Sequence, residues 1–276
     1  MTMTISAFGD ETAVDFEEQL QLLTALGIKK IDVRTAWGVN CAEFTDEHLE
    51  KINALCEQYG VEVACIGSPI GKSPIQEDIR MESDRVRFVA NVAKQLGTKN
   101  IRIFSFYPEG DVTADVMQDS IQRLQTLTAI AEELDVQLLL ENEKELVGDV
   151  PARCLEIMQA IDSDHIKFIW DPANFVQCGA EEQVATWWDE LSPYIGYIHI
   201  KDALLADGAV TPAGEGDGQV ALLLAKLLES GYDDVLSLEP HLAVAGHSTG
   251  YSGPEGMNVA VTALRKLMNE AGIEEV

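Results

Sequence analysis

Four apolar runs in this 276-residue chain end on residues that can bind a cation or move a proton. Val136 and Leu138-Leu139-Leu140 lead to Glu141-Asn142-Glu143, and Phe168-Ile169-Trp170 leads to Asp171. Tyr197-Ile198 leads to His199, and Leu236-Ser237-Leu238 to Glu239. Such runs read as strands of a parallel sheet, covered on both faces, so a polar residue at the end lies at a rim. Three carboxylates and one imidazole on four successive strand ends suit a divalent cation, Mn, Mg, Co or Zn. The absence of thiolates from the set argues against a cysteine-rich structural zinc site. A cation held there would act as a Lewis acid on a substrate carbonyl or hydroxyl. Glu141 and Glu239, approaching from different strands, could then work as base and acid at the neighbouring carbon. Acting from opposite faces they would invert that carbon; one group shuttling a proton between adjacent carbons would move the carbonyl instead.

Taken singly, each residue has a plainer reading. Asp171, just before Pro172, could simply cap a helix, and His199 could be a hydrogen-bonded core histidine. The joint pattern carries the argument, and parity supports it. In an extended strand Tyr197, His199 and Lys201 face one way, as do Glu239 and His241.

The elements that must position these ends alternate along the chain. Strands are expected at 28–34, 61–67 and 101–106 and in the four runs above, after a short first run ending at Phe8. Helices are expected from Phe16, stopped by Gly27, from the Thr45-Asp46 cap to Tyr59-Gly60, and over 78–96, 116–134 and 151–161. Others contain Trp187 and Trp188 and span 220–230 and 255–271. About eight strand-helix units predict an α/β protein, a (β/α)8 TIM barrel forming a single domain over residues 1–276. An open doubly wound sheet is the rival, and four candidate ligands on consecutive strand ends suit a closed barrel better. The longer segments 68–77, 203–219 and 241–253 all follow strand ends and are candidates for the mouth of a pocket. Within the second, Gly214-Glu215-Gly216-Asp217-Gly218 could cradle a phosphate through its N–H groups, but its two acids favour a flexible loop.

Composition narrows the function classes. Lys and Arg total 19 against 47 Asp and Glu, a net charge of −28. That balance excludes phosphate-backbone binding and disfavours an anionic membrane surface, so neither nucleic acid nor membrane is an expected partner. Five cysteines, odd in number and without C-x-x-C spacing, read as reduced structural thiols of a cytoplasmic protein. The first residues carry no basic and apolar leader, and no run of about 18 apolar residues follows. The acidic, aromatic-poor surface leaves room for a homo-oligomer but marks no interface.

Seven pieces in order resemble a known family. Phe8-Gly9-Asp10-Glu11, Gly67-Ser68-Pro69-Ile70-Gly71-Lys72, Ile101–Phe106, Glu141-Asn142-Glu143, Asp171-Pro172-Ala173-Asn174, His199-Ile200-Lys201-Asp202 and Leu238-Glu239-Pro240-His241 together resemble the sugar phosphate isomerase/epimerase family, the xylose isomerase-like TIM barrels. The resemblance implies a metal held by Glu141, Asp171, His199 and Glu239, with Glu141 and Glu239 also catalytic, as in the ketose 3-epimerase branch. That branch has a histidine three residues after the metal-bound aspartate, where this chain has Asn174. It also has an arginine past the metal-bound histidine, where this chain offers Leu204, Leu205 and Ala206. Binding a ketohexose in that branch's manner is therefore not implied. Lys72, Asn174, Lys201 and His241 are the candidate substrate contacts, while Arg34 and Arg102 could do no more than pair with nearby acids.

The expected function is isomerisation or epimerisation of a small sugar or polyol ketone through an enediolate, with a divalent metal. A keto-cyclitol dehydratase with the same metal site and a non-catalytic metabolite-binding barrel are the alternatives. The apurinic-site endonuclease branch needs more metal-binding histidines and a basic groove, against five histidines in all and a charge of −28 here.

Overall fold

The computed structural model describes residues 2–242 and 252–276. Eight parallel strands, β1 (Thr2–Phe8), β2 (Lys30–Val33), β3 (Glu62–Ile66), β4 (Asn100–Ile103), β5 (Gln137–Glu141), β6 (Ile166–Trp170), β7 (Ile195–Ile200) and β8 (Val235–Leu238), pair in sequence order, and β8 pairs back onto β1. The sheet is therefore a closed (β/α)8 barrel. Helices α1 (Phe16–Ala25), α2 (Asp46–Tyr59), α3 (Ile79–Gln95), α4 (Ala114–Leu134), α5 (Pro151–Ile161), α6 (Pro172–Gln177), α7 (Gln183–Leu191), α8 (Val220–Ser230) and α9 (Gly253–Ala271) connect the strands and cover their outer faces. The apolar stripe of each helix meets the outward residues of the strands in one large buried cluster. All five cysteines are free and four are buried.

Local chemistry explains the boundaries. Thr45 caps α2 in a reciprocal box with His48, and Gly60 closes it in the left-handed conformation at φ 64. The expected strand 101–106 stops at Ile103. The chain there turns away to pair with the loop after β3: Phe104 N–H donates to Ile70 O (2.8 Å) and Phe106 N–H to Gly71 O (2.9 Å). Gly71, at φ +80, makes this approach possible, since a Cβ would sit 2.0 Å from Phe104 O. The strands expected at 28–34 and 61–67 are likewise trimmed at their ends, to Lys30–Val33 and Glu62–Ile66. Of the expected mouth segment 241–253, residues 243–251 lie outside the described residues.

Alternation along the strands sends every second side chain into the barrel. Cys65, Leu139, Ile169, Tyr197 and Val235 pack together there with Ala64. Beside them lies Asp32, 1% exposed, which accepts hydrogen bonds from Ser6 Oγ (2.6 Å), Tyr197 Oη (2.8 Å) and Ser237 Oγ (2.8 Å). Burial pushes the Asp32 carboxyl up, against the three hydroxyls that pull it down. A folded-state pKa above the unfolded one stabilises below the unfolded value of 3.8 and is lost as pH rises through the folded value. Asp32→Asn should thus keep most of the network and flatten the pH dependence of unfolding above pH 4. Asp32→Ala, which strands three hydroxyls, should cost about 2–4 kcal/mol in urea unfolding.

Candidate metal centre at the barrel mouth

One step further along the same inward faces stand Glu141, Asp171, His199 and Glu239, at the C-terminal ends of β5, β6, β7 and β8. All four are buried, and one donor atom from each lies within 4.8 Å of the others. His199 Nδ1 is 2.9 Å from Glu141 Oε1 and 3.7 Å from Glu239 Oε2. The capping reading of Asp171 holds, and the residue also stands in the cluster. Its Oδ1 caps α6 by accepting from Asn174 N–H (3.0 Å), while Oδ2 belongs to the cluster. Asn142 fixes the Asp171 backbone, donating to its carbonyl and accepting from its N–H, each at 2.9 Å.

The counter-charges come from three other positions on the rim. Arg102 Nη1, 3.3 Å from both Glu141 Oε2 and Glu239 Oε1, bridges the two glutamates. Arg34 pairs with Asp10 (2.8 Å) and Glu239 (2.9 Å), and Lys201 with Asp171 (2.9 Å) and Glu239 (3.3 Å). These arginines and the lysine do complete ion pairs with nearby acids, namely those of the cluster and Asp10. Burial would raise the Glu141 carboxyl, yet His199 and Arg102 overcome it and bring it down to about 2. Burial lifts Asp171 to about 6, with Lys201 opposing and Glu141 and Glu239 adding. Burial disfavours the His199 imidazolium, but Glu141 outweighs it and the pKa rises.

These residues fit a divalent cation. Glu141 Oε2, Asp171 Oδ2 and His199 Nε2 are buried without a hydrogen-bond partner among the described residues. Of these, Glu141 Oε2 and Asp171 Oδ2 make only ion-pair contacts, with Arg102 (3.3 Å) and Lys201 (2.9 Å), and His199 Nε2 has neither; buried polar atoms are ordinarily hydrogen-bonded, so the cluster has unused capacity for a ligand. Three oxygens and one nitrogen without thiolates match Mn, Mg, Co or Zn.

The other candidates fall around this cluster. Lys72, Asn174, Lys201 and His241 all line a pocket of about 300 Å³ in front of it. Asn174 Nδ2 donates to Asn142 O (2.9 Å) and approaches Glu141 Oε1 (3.4 Å). Lys72 pairs with Glu143 at 2.8 Å. His241 Nε2 stands 3.5 Å from Glu239 Oε1 and 3.2 Å from Glu11 Oε1. A larger cavity of about 640 Å³, beside Val14, Trp37 and Pro254, contains none of the four donors.

Sequence reasoning missed the roles of Glu11 and Asp202, and named Arg102 only as an ion-pair partner of unspecified acids. Glu11, fully buried, accepts from His241 N–H (2.9 Å) and Ser252 Oγ (2.7 Å), setting where His241 stands. Arg102 acts as the bridge between the glutamates, and Asp202 fills the glycine-rich loop. The N–H groups of Gly214 (2.9 Å), Gly216 (3.1 Å) and Gly218 (2.8 Å) all donate to the Asp202 carboxylate. The cradle exists, but its anion is this aspartate, so the loop is an internally braced turn rather than a free phosphate site. The signal was available in the sequence as an acid just past His199, though its partner lies 12–16 residues on.

Removing Arg102 exposes the cost of the crowding. Arg102→Met should destabilise the metal-free protein by about 3 kcal/mol at pH 7 in urea unfolding. Glu141, lowered from 4.5 to about 2, contributes stability above pH 4.5 that is lost as pH falls towards 2. Asp171, raised from 3.8 to about 6, has the reverse sign, its contribution being lost as pH rises through 6. The gap between native and Arg102→Met protein should therefore narrow when both are compared at pH 3.

Known proteins share this architecture. An uncharacterised protein of Methanocaldococcus jannaschii is 23% identical over 216 residues, 74% of each chain. The IolI protein, solved with a bound zinc atom, superposes with a TM-score of 0.79 at 18% identity, over 98% of this chain and 99% of that one. A D-tagatose 3-epimerase-like protein superposes with a TM-score of 0.77 at 18% identity, over 99% and 98%. At such identities the likeness to the solved structures is one of fold. The match to the xylose isomerase-like TIM barrel family runs over residues 14–271, and the chain belongs to that family.

Proposed function

We propose that this protein is a divalent-metal-dependent isomerase or epimerase acting on a small sugar or polyol ketone by proton transfer next to a carbonyl. The observation that carries the reading is the convergence of four buried donors within 4.8 Å, with His199 Nε2 left without a hydrogen bond among the described residues. Glu141, Asp171, His199 and Glu239 would hold the metal, which supplies Lewis-acid polarisation of the substrate carbonyl and stabilises negative charge on its oxygen. Glu141 and Glu239 are the proton-transfer pair. They stand on β5 and at the end of β8, so a substrate carbon between them meets a carboxylate from two directions. Arg102 and Lys201 keep both glutamates ionised and able to accept a proton, and His241 and Asn174 fix the orientations of Glu239 and Glu141. A pocket of about 300 Å³ is the size of a small sugar, and Lys72, Asn174, Lys201 and His241 supply its polar contacts.

The test begins with protein stripped of metal and titrated with Mn²⁺ by calorimetry. The native chain should bind at one saturable site, and Glu239→Gln and Asp171→Asn should each weaken it at least about tenfold. Keto sugars should then exchange carbon-bound hydrogen for solvent deuterium only when metal is present. A native chain that binds no metal, or variants that bind as well as it does, would remove the basis of this assignment.

A further inference from the structure

The geometry points to a substrate that carries an oxyanion, a carboxylate or a phosphate, at the end held away from the four donors, with Lys72 and Lys144 as its receptors. This rests on the proposed function, whose substrate class it narrows.

The first observation is where a very acidic chain places its few cations. Lys and Arg make up 19 of 276 residues, so nine residues drawn at that frequency would include fewer than one. Of the nine residues lining the pocket, Arg34, Lys72, Lys144 and Lys201 are four, and His241 is a fifth nitrogen base. Glu143 is the one acid among them. Arg34 and Lys201 are matched by Asp10, Asp171 and Glu239, so the field at the outer end of the pocket is set by Lys72 and Lys144 against Glu143, while the distant acidic surface is screened beyond about 8 Å at physiological salt.

The second is hydrogen-bonding capacity. A neutral sugar hydroxyl both donates and accepts, and sites built for it offer both kinds of group. Lysine and arginine only donate, whereas a carboxylate or phosphate only accepts. Arg34 and Lys201 are already engaged with Asp10, Asp171 and Glu239 deep in the site. Lys72 and Lys144 stand further out. Lys144 is exposed and makes no ion pair among the described residues. Lys72, 34% exposed, reaches over the Phe104 ring at 4.3 Å to Glu143 Oε2 at 2.8 Å. Glu143 also accepts from the backbone N–H of Lys144 at 3.0 Å, so its carboxylate occupies the ground an incoming anion would contest. Gly71, locked against Phe104, fixes the turn from which Lys72 departs.

Three non-reacting polyols of equal chain length separate the cases: glycerol, glycerate and glycerol 3-phosphate, titrated into metal-free and Mn²⁺-loaded protein. At least one anion should bind about tenfold or more tightly than glycerol, and this preference should fade as salt is raised. Glycerate winning marks a carboxylate, glycerol 3-phosphate a phosphate. The double variant Lys72→Met, Lys144→Met should lose the preference while its Mn²⁺ affinity and unfolding midpoint stay unchanged. Glu143→Gln, which removes the internal competitor, should tighten the favoured anion. Glycerol binding as well as both anions, or the double variant keeping the preference, overturns the inference. If Mn²⁺ binds as expected and no anion preference is found, the metal reading stands and this one falls. If an anion wins but Mn²⁺ does not bind, the metal reading falls and the anion pocket stands.

Discussion

Three carboxylates buried together in a barrel mouth are the constraint to which the rest of this structure answers. Glu141, Asp171 and Glu239 offer oxygens within 4.8 Å of one another, and at an effective dielectric of about 20 each such pair repels by about 3–4 kcal/mol. Burial alone would neutralise them by protonation. Arg34, Arg102 and Lys201 oppose that from other points on the rim, and His199 sits against Glu141. Glu239 is the hub, contacted by Arg34, Arg102 and Lys201 and approached by both histidines. Asp171, whose one cationic ion-pair partner among the described residues is Lys201, is the one driven upward. The arrangement is a balance that one more cation would tip towards full ionisation.

The barrel makes the crowding tolerable because each participant is carried by a rigid strand end. Parallel pairing sets Ser237 beside His199 and beside Ser6, and the apolar residues behind them hold the rim residues in place. The Asp32 network inside the same barrel is closed on itself by three hydroxyls, so it braces strands β1, β2, β7 and β8 without adding an unpaired charge to the mouth. Loops, by contrast, carry Lys72, Lys144 and His241. A TIM barrel thus separates a fixed set of donors from a variable set of contacts, which is how one fold accommodates many substrates.

Acidic residues here do more than keep the exterior charged. Glu11, Glu82, Asp32, Asp202 and the three carboxylates of the cluster are all buried. Asp202 braces the glycine-rich loop, where a Cβ on Gly216 or Gly218 would come within 2.4 and 2.7 Å of its Oδ1. Glu11 ties Ser252 and His241 together, and Glu82 accepts from Gly71 N–H (3.2 Å). Reading the net charge as a solvated surface alone overlooks this work, because composition counts acids without saying which have partners.

Much of this protein was legible in its residues taken in order. Apolar runs closed by Glu141, Asp171, His199 and Glu239, alternating with capped amphipathic helices, sufficed for the (β/α)8 barrel and for the four donors, since period and strand-end position are local properties. The strand that stops at Ile103 was not legible, because its last residues are drawn off by hydrogen bonds to Ile70 and Gly71, more than 30 positions earlier. Nor were the partners of the charges. Arg102 meets Glu239 across 137 residues of sequence, and the three N–H groups around Asp202 meet it only after a hairpin folds the chain back. Residue type and spacing determined which side chains could face the mouth and what chemistry they could offer. Closure of the barrel decided which charges neutralise which, because ion pairs form between strands that are neighbours in space and distant in sequence.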